Sequence, residues 1–573
     1  MYNITLEDYD TLFQLQGGVC AICGKPETSA KVSNLAVDHN HINGSIRGLL
    51  CNKCNRGLGY FEDDITILSK AIEYLKNKKM FKPCSVLLSD FYKQDHQRQY
   101  DPSITKVVSY YVPRKTSIPE FDKVVVFGIQ AFIEEYLIEY MNENFFNRPL
   151  EEVIAEYEFV ISSTMGADRV NSDKIKNLHE LGYLPIEIWA LPEGYKVGMN
   201  IPCIEISNTN PEFAWCTNFI ETLMLSELWY PMCVATAVTK YRSIVNDFYS
   251  KTSDISGRSA ISEFGFRSLV GLHGAIKASC GFLLSFNKTA TIPGIMYASK
   301  YYHTPMSVVG GGMASTEHSV MCSSAAINGD EKVMIRRLLT EVYPNGSFSM
   351  VSDSYDYWNV VDEILPSLKE KILSRNGTLY VRGDSGDPVE IVTETVFSLW
   401  ETFGGTVNSK GYKVLDPHVR ALYGDGITQL RAKQIYQILY DKGFSAENVA
   451  LGAGGFSMLS YMDEFGNVDM FSRDTFNVAI KCSYVEQTID GKTKSIMVCK
   501  DPKTDSGMKK SHRGCCAVFY NHVTGEFDCD EGMTLKEAHN EPFNLLRPIF
   551  SDGKMREQTT LTEIRRTLWN GEF

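Results

Sequence analysis

Two Cys-x-x-Cys pairs near the start of the chain constrain its fold more than any other feature. Cys20 and Cys23 form the first pair and Cys51 and Cys54 form the second, with 27 residues between the pairs. Four thiolates at this spacing are typical of a single tetrahedral Zn²⁺ site. Because the protein supplies all four ligands, we expect this zinc to be structural rather than catalytic.

The distribution of charge separates this segment from the rest of the 573-residue chain. The first 80 residues contain nine Lys/Arg and nine Asp/Glu, whereas the remainder contains 48 and 61 and carries the whole net charge of −13. An acidic body is a poor general binder of polyanions, since affinity for them comes from clustered Lys and Arg. Any phosphate group must therefore bind at a local basic site.

Several features predict a cytoplasmic protein with no membrane partner. No run approaches the roughly 18 apolar residues that a membrane helix needs, and the acidic N-terminus is unlike a secretory signal. The other eleven cysteines are scattered, apart from the adjacent Cys515 and Cys516. In the absence of a signal, scattered cysteines indicate reduced thiols rather than a disulfide framework.

A change in sequence character near residue 80 predicts a domain boundary. The apolar residues of 65–75 have helical spacing, and Pro83 prevents the helix from continuing. We therefore expect a module at 1–79 and a larger body at 80–573. A length of almost 500 residues is itself enough for more than one layered unit in that body.

Alternating strands and helices in the larger body predict an α/β fold. Strands are expected at 124–129, 348–354, 377–386 and 448–455, and a helix at 131–145. Polar or glycine-rich loops follow strands at SDSYD (352–356), RGDSGDP (382–388), YGDG (423–426) and GAGG (452–455). Backbone N–H groups of such turns bind phosphate, and adjacent carboxylates bind ribose hydroxyls or Mg²⁺. Four such loops together predict a site for a phosphorylated sugar.

The segment between the cysteine pairs carries residues suited to phosphodiester chemistry. Asn43-Gly44 predicts a hairpin turn, with an acid and two histidines leading into it. An acid and an Asn can hold Mg²⁺ while a histidine deprotonates water. Residues 18–60 resemble the recombination endonuclease VII family, a zinc-bound ββα-metal (His-Me finger) nuclease. The resemblance implies His39 as general base, Asp38 and Asn55 as Mg²⁺ ligands, and His41 as an auxiliary residue.

Two departures bear on this module. Leu58 stands where the family can carry an acid, and Ala36 stands where a histidine often precedes the Asp. The alternatives are therefore an active Mg²⁺-dependent endonuclease for branched DNA, and an inert or DNA-tethering zinc module. Such modules also travel with phage genes, in which case the compartment is the host cytoplasm.

The larger body matches a second family over almost its full length. The matching stretches include LLSDFYKQDH, LPIEIWALPEGYKV, FGFRS, MVSDSYD, VRGDSGDP, YGDGI, GAGG and RDTFNVAIKCSYV. Residues 84–573 resemble the nicotinamide phosphoribosyltransferase family, glycosyltransferases of NAD biosynthesis. The resemblance implies synthesis of nicotinamide mononucleotide and pyrophosphate from nicotinamide and phosphoribosyl pyrophosphate. It also implies Mg²⁺, stimulation by ATP through a phosphohistidine, and a homodimer with shared active sites. The implied fold is a type II phosphoribosyltransferase, an irregular α/β barrel plus a β-sandwich-like domain built from both ends of the body.

The resemblance also implies the site residues. Phe264 and, from the other subunit, Tyr92 would stack on the pyridine ring, with Arg267 and Ser349 near its carboxamide. His318 would be phosphorylated. The residues around it would be Glu317 and Asp353. The residues for ribose, phosphate, pyrophosphate and ATP would be Arg382, Asp384, Gly424, Asp425, Gly454, Gly455, Arg114, Lys500 and Lys509, with Arg473 and Lys481 supplied by the other subunit.

Base recognition departs from the family pattern. Ala290 stands in FNKTATIPG where the family places an aspartate that accepts a hydrogen bond from the amide. Loss of that acceptor can relax selectivity, so nicotinate is the alternative base. Ala479 likewise replaces a phosphate-side serine. The alternative function for the whole chain is a nuclease regulated by, or fused to, the transferase body.

Overall fold

The chain forms two compact units, Met1–Lys82 and Pro83–Phe573. The structure is a computed structural model, and it describes residues 4–28, 34–41, 43–76, 81–504, 510–571 and 573.

The first unit is a small hairpin with three helices. Strands Ala36–His39 and Ile46–Leu50 pair antiparallel, with a register shift between Asp38 and His39. Gly44 in the turn has φ +73°, which a residue without Cβ adopts at no steric cost, and the predicted hairpin is confirmed. The helices span Leu6–Leu15, Asn52–Tyr60 and Ile65–Lys76, the last of which confirms the helix predicted at 65–75.

The core of this unit is too small to hold it together by apolar burial alone. Among the residues of this unit that the structure describes, the buried core side chains are Cys20, Leu35, Leu49, Leu50 and Cys51. Two of these five are cysteines of the pairs. Small domains with so little core depend on a further constraint, and a structural metal is one of the commonest.

A six-stranded parallel sheet organises the centre of the second unit. Its strands run, in spatial order, Ile261–Glu263, Val449–Ala453, Val419–Tyr423, Leu379–Gly383, Phe348–Val351 and Ala314–Ser315. Strands buried on both faces explain the runs of Val, Leu and Ala in these segments. The strands predicted at 348–354, 377–386 and 448–455 are confirmed, with their polar ends forming loops.

Single bridges connect the two edges of this sheet. Glu263 pairs with Thr289, and Lys288 pairs with Gly311, just before the edge strand Ala314–Ser315. Helices cover the outside, and side chains such as Val396 and Ile435 pack with Val381 and Ala421 of the sheet in one buried cluster. The body therefore has the mixed α/β architecture that the alternation of elements predicted.

A seven-stranded antiparallel sheet forms the other part of the second unit. Its strands, in spatial order, are Lys492–Met497, Ala479–Ile489, Ile104–Val112, Ile204–Asn208, Ile186–Ala190, Arg547–Ser551 and Lys554–Met555. These segments come from both ends of the body. A separate hairpin pairs Cys515–Asn521 with Glu526–Met533.

The longer helices of the second unit span Leu150–Thr164, Ser172–Leu181, Glu221–Thr252, Gly271–Phe282, Ile292–Tyr301, His318–Asn328, Pro388–Phe403, Gln429–Asp441 and Leu561–Leu568. A further helix of α and π turns runs through Ile129–Phe132, Ile133–Tyr140 and Asn142–Phe146, which confirms the helix predicted at 131–145. Within the ranges given above, no helix is long and apolar enough to cross a bilayer.

One predicted strand is wrong in extent. The strand expected at 124–129 is only Lys123–Val125, paired with Lys196–Gly198. Gly128 has φ +95° and helix Ile129–Phe132 follows it directly. The apolar run continues past the strand because these residues are buried at the turn and in the first helical turn, and hydrophobicity alone does not separate a strand from a buried helix.

Candidate functional site

The predicted site residues converge because all six strands of the parallel sheet point the same way. Their carboxyl ends share one edge, where ligands bind in folds of this kind. From one side of the sheet to the other, the residues that follow the strands are Phe264, Gly454 and Gly455, Gly424 and Asp425, Asp384, Asp353, and Glu317 and His318. Residues spread over more than 190 positions of sequence thus lie along one edge.

His318 begins the helix His318–Asn328 and is held by a carboxylate. Its Nε2 lies 3.1 Å from Asp353 Oδ1, and the imidazole is 45% exposed while the carboxylate is 5% exposed. Glu317 is the exposed N-cap residue of this helix. Of the two acids that the resemblance places around His318, Asp353 is therefore the one that orients the ring, and it leaves Nδ1 on the other side of the imidazole.

Asp353 joins two loops. Its Oδ2 accepts hydrogen bonds from the Asp384 backbone N–H at 3.1 Å and from Ser385 Oγ at 2.6 Å. Burial raises the pKa of Asp353, but the hydrogen bonds from Ser385, His318 and the Asp384 amide outweigh burial, so this pKa lies below its usual range. Asp353 is therefore a fixed negative charge between the histidine and the RGDSGDP loop.

The pKa of Asp384 is raised, unlike that of its neighbour Asp353. Burial raises its pKa, and the neighbouring negative charge of Asp353 adds to this effect against the opposing Arg382 guanidinium. Arg382 Nη2 lies 3.1 Å from Asp384 Oδ2. A buried carboxyl with a specific cationic partner is typical of functional sites.

Several buried polar atoms at this edge have no hydrogen-bond partner within the described part of the chain. They are Ser349 Oγ, Ser354 Oγ, Arg382 Nε and Asp384 Oδ1. Buried polar atoms are normally paired, and each exception needs an explanation. A polar ligand that is seated at the strand ends would supply the missing partners.

Gly424 and Gly452 lie so close to neighbouring loops that there is no room for a Cβ atom at either position. A Cβ on Gly424 would lie 2.4 Å from Asp384 Oδ1, and a Cβ on Gly452 would lie 2.4 Å from the Phe264 ring and 3.0 Å from the Gly424 Cα. The loops at 382–388, 423–426 and 452–455 are therefore packed against one another through glycine. The contacts run without a break from His318 to Phe264.

Hydrogen bonds connect the residue before Phe264 with the segment that carries Ala290. The Glu263 carboxylate, fully buried, accepts hydrogen bonds from the Gly265 N–H and, at 2.6 Å, from Thr289 Oγ1. The Ala290 N–H donates to the Glu263 carbonyl at 2.8 Å. Ala290 is exposed and Phe264 is half-buried, so the position that departs from the family pattern is hydrogen-bonded to the residue that precedes Phe264. Arg267 is exposed in the turn Phe266–Ser268.

A basic cavity of about 330 Å³ lies on the antiparallel sheet of the same unit. Its wall includes Arg114, Lys481, Lys510, His512 and Ala479. Lys481 Nζ is 3.3 Å from Glu221 Oε1, and Arg114 donates to Asn477 Oδ1 at 2.9 Å. Three cationic side chains around one cavity form the local basic site that an acidic protein needs to bind phosphate.

The remaining predicted phosphate and stacking residues lie near this cavity or on the surface. Arg473 donates from Nη1 to the Val478 carbonyl at 2.8 Å, close in sequence to the cavity wall at Ala479. The Lys500 backbone N–H donates to Ser511 Oγ at 2.8 Å, next to the wall residue His512. Tyr92 is 58% exposed. Lys509 lies outside the described residues.

The cysteine pairs of the first unit form one cluster. The four Sγ atoms of Cys20, Cys23, Cys51 and Cys54 all lie within 4.8 Å of one another, and Cys23 Sγ is 3.7 Å from Cys51 Sγ. Two thiolates on one tetrahedral zinc lie about 3.8 Å apart, given Zn–S bonds of about 2.3 Å. Burial raises the pKa of Cys20, but backbone N–H donors outweigh it and lower that pKa to about 6. This geometry fits a four-thiolate zinc site.

The nuclease-like residues of this unit are arranged around an arginine. Arg47 Nε and Nη2 donate to the two oxygens of Asp38 at 2.7 and 3.0 Å, and Nη2 also donates to Asp63 at 2.9 Å. The His39 and His41 rings have centroids 4.8 Å apart, and His41 Nδ1 is 3.4 Å from Asp63. Asn55 lies on the helix that follows Cys51. A bidentate guanidinium therefore holds the carboxylate that the resemblance assigns to Mg²⁺.

We predict that Cys51→Ala releases zinc from this unit and unfolds it while the larger body stays folded. Cys51 belongs to the four-cysteine cluster and, among the described residues, to the small buried core of this unit. The zinc content and limited proteolysis of the full chain would measure the effect, with the exposed Cys499→Ala as matched control. Unchanged zinc content in Cys51→Ala would mean that the four-thiolate assignment is incorrect.

Comparison with known proteins identifies both units. The family model described as recombination endonuclease VII matches residues 1–77. The model of the nicotinate phosphoribosyltransferase family matches residues 260–554, and that of the nicotinamide phosphoribosyltransferase N-terminal domain matches residues 85–188. Nicotinamide phosphoribosyltransferase of Acinetobacter baylyi is 36% identical over 508 residues, covering 84% of this chain and 96% of that protein. The chain belongs to the nicotinamide phosphoribosyltransferase family.

Two further relatives agree with this division. Nicotinamide phosphoribosyltransferase of Xanthomonas campestris pv. campestris is 32% identical over 489 residues, 84% of this chain and 97% of that protein. The Gene 59 protein of Mycobacterium phage D29 is 45% identical over 76 residues, which are 13% of this chain and 45% of that protein. A crystal structure of human nicotinic acid phosphoribosyltransferase aligns with 85% of this chain and 93% of that chain, with a TM-score of 0.49 and 14% identity. This member of the nicotinamide phosphoribosyltransferase family thus carries an endonuclease VII-type segment at its N-terminus.

Sequence reasoning missed several residues of the site in this family member. Ser385 donates to Asp353, Glu263 anchors the Phe264 loop, and Gly452 makes room for the Phe264 ring. Ser385 lies in the RGDSGDP loop and Gly452 in the GAGG loop. The sequence predicts both loops but assigns no role to either residue. Glu263 could have been found as an acid at the end of an apolar strand segment.

Proposed function

We propose that this protein transfers the phosphoribosyl group from phosphoribosyl pyrophosphate to nicotinamide, giving nicotinamide mononucleotide and pyrophosphate. The observation that carries the proposal is the continuous series of contacts from His318 through Asp353, Asp384 and Gly424 to Phe264 along the carboxyl edge of the parallel sheet. It combines an aromatic ring for a flat base, glycine loops for phosphate, and buried polar atoms that lack partners.

The reaction requires positioning more than covalent help from the protein. The pyridine nitrogen forms a bond to the anomeric carbon as the bond from that carbon to pyrophosphate breaks, and pyrophosphate leaves with the electron pair. Phe264 would hold one face of the base, with Tyr92 of the partner subunit on the other and Arg267 at the carboxamide. Holding both reactants in line and neutralising the departing charge supply the rate enhancement.

The sugar and its phosphates would bind along the glycine loops. Asp384 would stabilise the positive charge that develops on the ribose, and Arg382 would bind the adjacent phosphate. Backbone N–H groups at Gly424, Asp425, Gly454 and Gly455 would hold the 5′-phosphate. Mg²⁺, when bound, neutralises pyrophosphate oxygens; the unpaired Asp384 Oδ1 and the exposed Asp425 are the carboxylate groups that fit it.

His318 would accept a phosphoryl group from ATP. Asp353 would accept a hydrogen bond from Nε2–H, which leaves the Nδ1 lone pair as the nucleophile. Nδ1 would attack the γ-phosphorus of ATP, and the γ-phosphoryl group would be transferred to it as ADP leaves with the electron pair of the broken P–O bond. The negative charge of Asp353 stabilises the positive charge that forms on the ring. This histidine makes ATP a stimulator of the transferase rather than a reactant of the transfer itself.

The complete site would require two copies of the chain. Tyr92, Arg473 and Lys481 would reach the site of the partner subunit, while Arg114, Lys500 and Lys509 would contribute to pyrophosphate and ATP binding. The bridges that link the sheet edges support an irregular barrel of the type II phosphoribosyltransferase kind. The antiparallel sheet from both ends of the body supports the second, β-sandwich-like domain, and the zinc module would be residues 1–79.

The test is steady-state mononucleotide formation with nicotinamide and with nicotinate, each with and without ATP. We expect turnover of nicotinamide that ATP stimulates. Turnover of nicotinate alone, or of neither base, would refute the assignment of the base.

We predict that Ala290→Asp raises the ratio of kcat/KM for nicotinamide over nicotinate by about tenfold or more. A restored carboxylate accepts a hydrogen bond from the amide and repels the nicotinate carboxylate. Ala290→Asn is the matched control, since it adds similar volume without the charge. An unchanged ratio in Ala290→Asp would mean that this position does not face the base.

A second candidate function concerns the N-terminal module. Its match to the endonuclease VII model and its paired histidines favour Mg²⁺-dependent cleavage of branched DNA, whereas the Arg47 clamp on Asp38 favours an inert or DNA-tethering module. Incubation of the full chain with four-way DNA junctions and Mg²⁺ separates these. Cleavage that His39→Ala abolishes would establish the nuclease, and binding without cleavage would establish a tether.

A further inference from the structure

A second cluster of residues that could bind a metal lies in the second unit. One ligand atom each of His512, Cys516 and Cys529 lies within 4.8 Å of the other two. His512 lies in the segment before the hairpin, Cys516 lies on strand Cys515–Asn521, and Cys529 lies on strand Glu526–Met533. The antiparallel pairing of the hairpin therefore brings Cys529 to Cys516, which follows His512 by four residues.

The chemistry of these donors is specific. Two thiolates and one imidazole form a soft set that selects zinc over Mg²⁺ or Ca²⁺. Cys516 is fully buried, Cys529 is partly buried, and the His512 side chain is 19% exposed. Three protein ligands leave one position of a tetrahedral ion for water or another ligand. The hairpin holds two of the ligands on rigid strands.

Both ring nitrogens of His512 have an oxygen acceptor in this structure. One ring nitrogen, Nδ1, is 2.8 Å from Glu531 Oε2, and the other, Nε2, is 2.9 Å from the Asn200 carbonyl oxygen. Ligating histidines nearly always donate their second N–H to a carboxylate or a carbonyl. A metal on either nitrogen would replace the hydrogen bond made there, and the other nitrogen would keep its acceptor, which would fix the tautomer and the ring plane.

We propose that His512, Cys516 and Cys529 form a second zinc site in this protein. Binding replaces the two thiol protons by the ion and releases them to solvent. His512 and Glu531 also line the basic cavity beside Lys481 and Lys510. A zinc ion on His512 would therefore lie at the wall of this cavity, and because it replaces two protons it would leave the net charge of the cluster unchanged.

The test is the zinc content of the full chain, purified in reductant and loaded with Zn²⁺. We expect two zinc ions per chain, one for each cluster. Cys529→Ser and His512→Gln should each lower the zinc content to one ion per chain by removing the second site. Cys51→Ala should also lower it to one, by removing the site of the N-terminal cysteines. Cys51→Ala combined with Cys529→Ser should bind none. Cys499→Ser, which changes an exposed cysteine outside both clusters, should keep two.

Cobalt gives a second measurement on the remaining site. In the Cys51→Ala chain, Co²⁺ should produce thiolate-to-metal charge-transfer absorption, and the additional change Cys529→Ser or His512→Gln should weaken or remove it. One zinc per wild-type chain, lost with Cys51→Ala, would overturn the proposal. So would two zinc ions retained in both Cys529→Ser and His512→Gln, or a Cys516–Cys529 disulfide in the reductant-treated protein. None of these outcomes depends on transferase activity.

Discussion

Asp384→Ala is expected to lower kcat/KM for mononucleotide formation by about 10²–10³-fold, the loss typical of removing one electrostatic group that acts on the transition state. Asp384 pairs with Arg382 at 3.1 Å, and its Oδ1 is buried without a partner. The carboxylate is therefore a charge held in place for a ligand. Removing it also leaves the Arg382 guanidinium without its counter-ion in the proposed ribose site. Initial rates at varied phosphoribosyl pyrophosphate concentration would measure the loss.

Asp384→Asn separates charge from shape. The amide keeps the volume against Gly424 but removes the negative charge, so we expect a loss close to that of alanine. The matched control is Asp441→Asn, at the end of helix Gln429–Asp441 away from the strand carboxyl ends, where activity should be unchanged. Near wild-type activity in Asp384→Asn would show that the carboxylate acts through packing alone.

His318→Ala is expected to abolish stimulation by ATP and to leave a slower basal transfer. The imidazole is held by Asp353 at 3.1 Å and remains 45% exposed, so it is accessible to a phosphoryl donor. No other side chain that contacts Asp353 offers a nitrogen nucleophile, among the residues that the structure describes. The ratio of transfer rates with and without ATP should fall to about one. Hydrolysis of ATP in the absence of the other substrates should also be lost.

Two further variants define the role of His318. Asp353→Asn should reduce the stimulation without removing it, because the ring loses the charge that stabilises its phosphorylated form. The control His522→Ala changes an exposed histidine in the hairpin turn and should keep full stimulation. Persistent ATP stimulation in His318→Ala would refute the phosphohistidine.

Much of the site could be predicted because its residues are attached to regular elements. Strand segments such as Phe348–Val351 and Leu379–Gly383 are largely apolar and are followed by acids or glycines. Because parallel strands place their carboxyl ends at one edge of the sheet, these residues come together there. The hairpin at Asn43-Gly44 and the zinc cluster were likewise local in sequence. Where an apolar run crossed from a strand into a helix, as at 124–129, the sequence pattern was ambiguous and the prediction failed in extent.

The amino-acid sequence by itself therefore determined the order of strands and helices, the two cysteine pairs, and which loops carry acids and glycines, since each depends on periodicity or short spacing. Only the tertiary structure decided that Asp353 rather than Glu317 bonds His318, that Arg47 clamps Asp38, and that Cys516 meets Cys529 and His512. These contacts depend on strand register and on the rotation of side chains about their own bonds. Neither is fixed by the residues themselves, because a shift of one residue in register turns a side chain to the opposite face of the sheet.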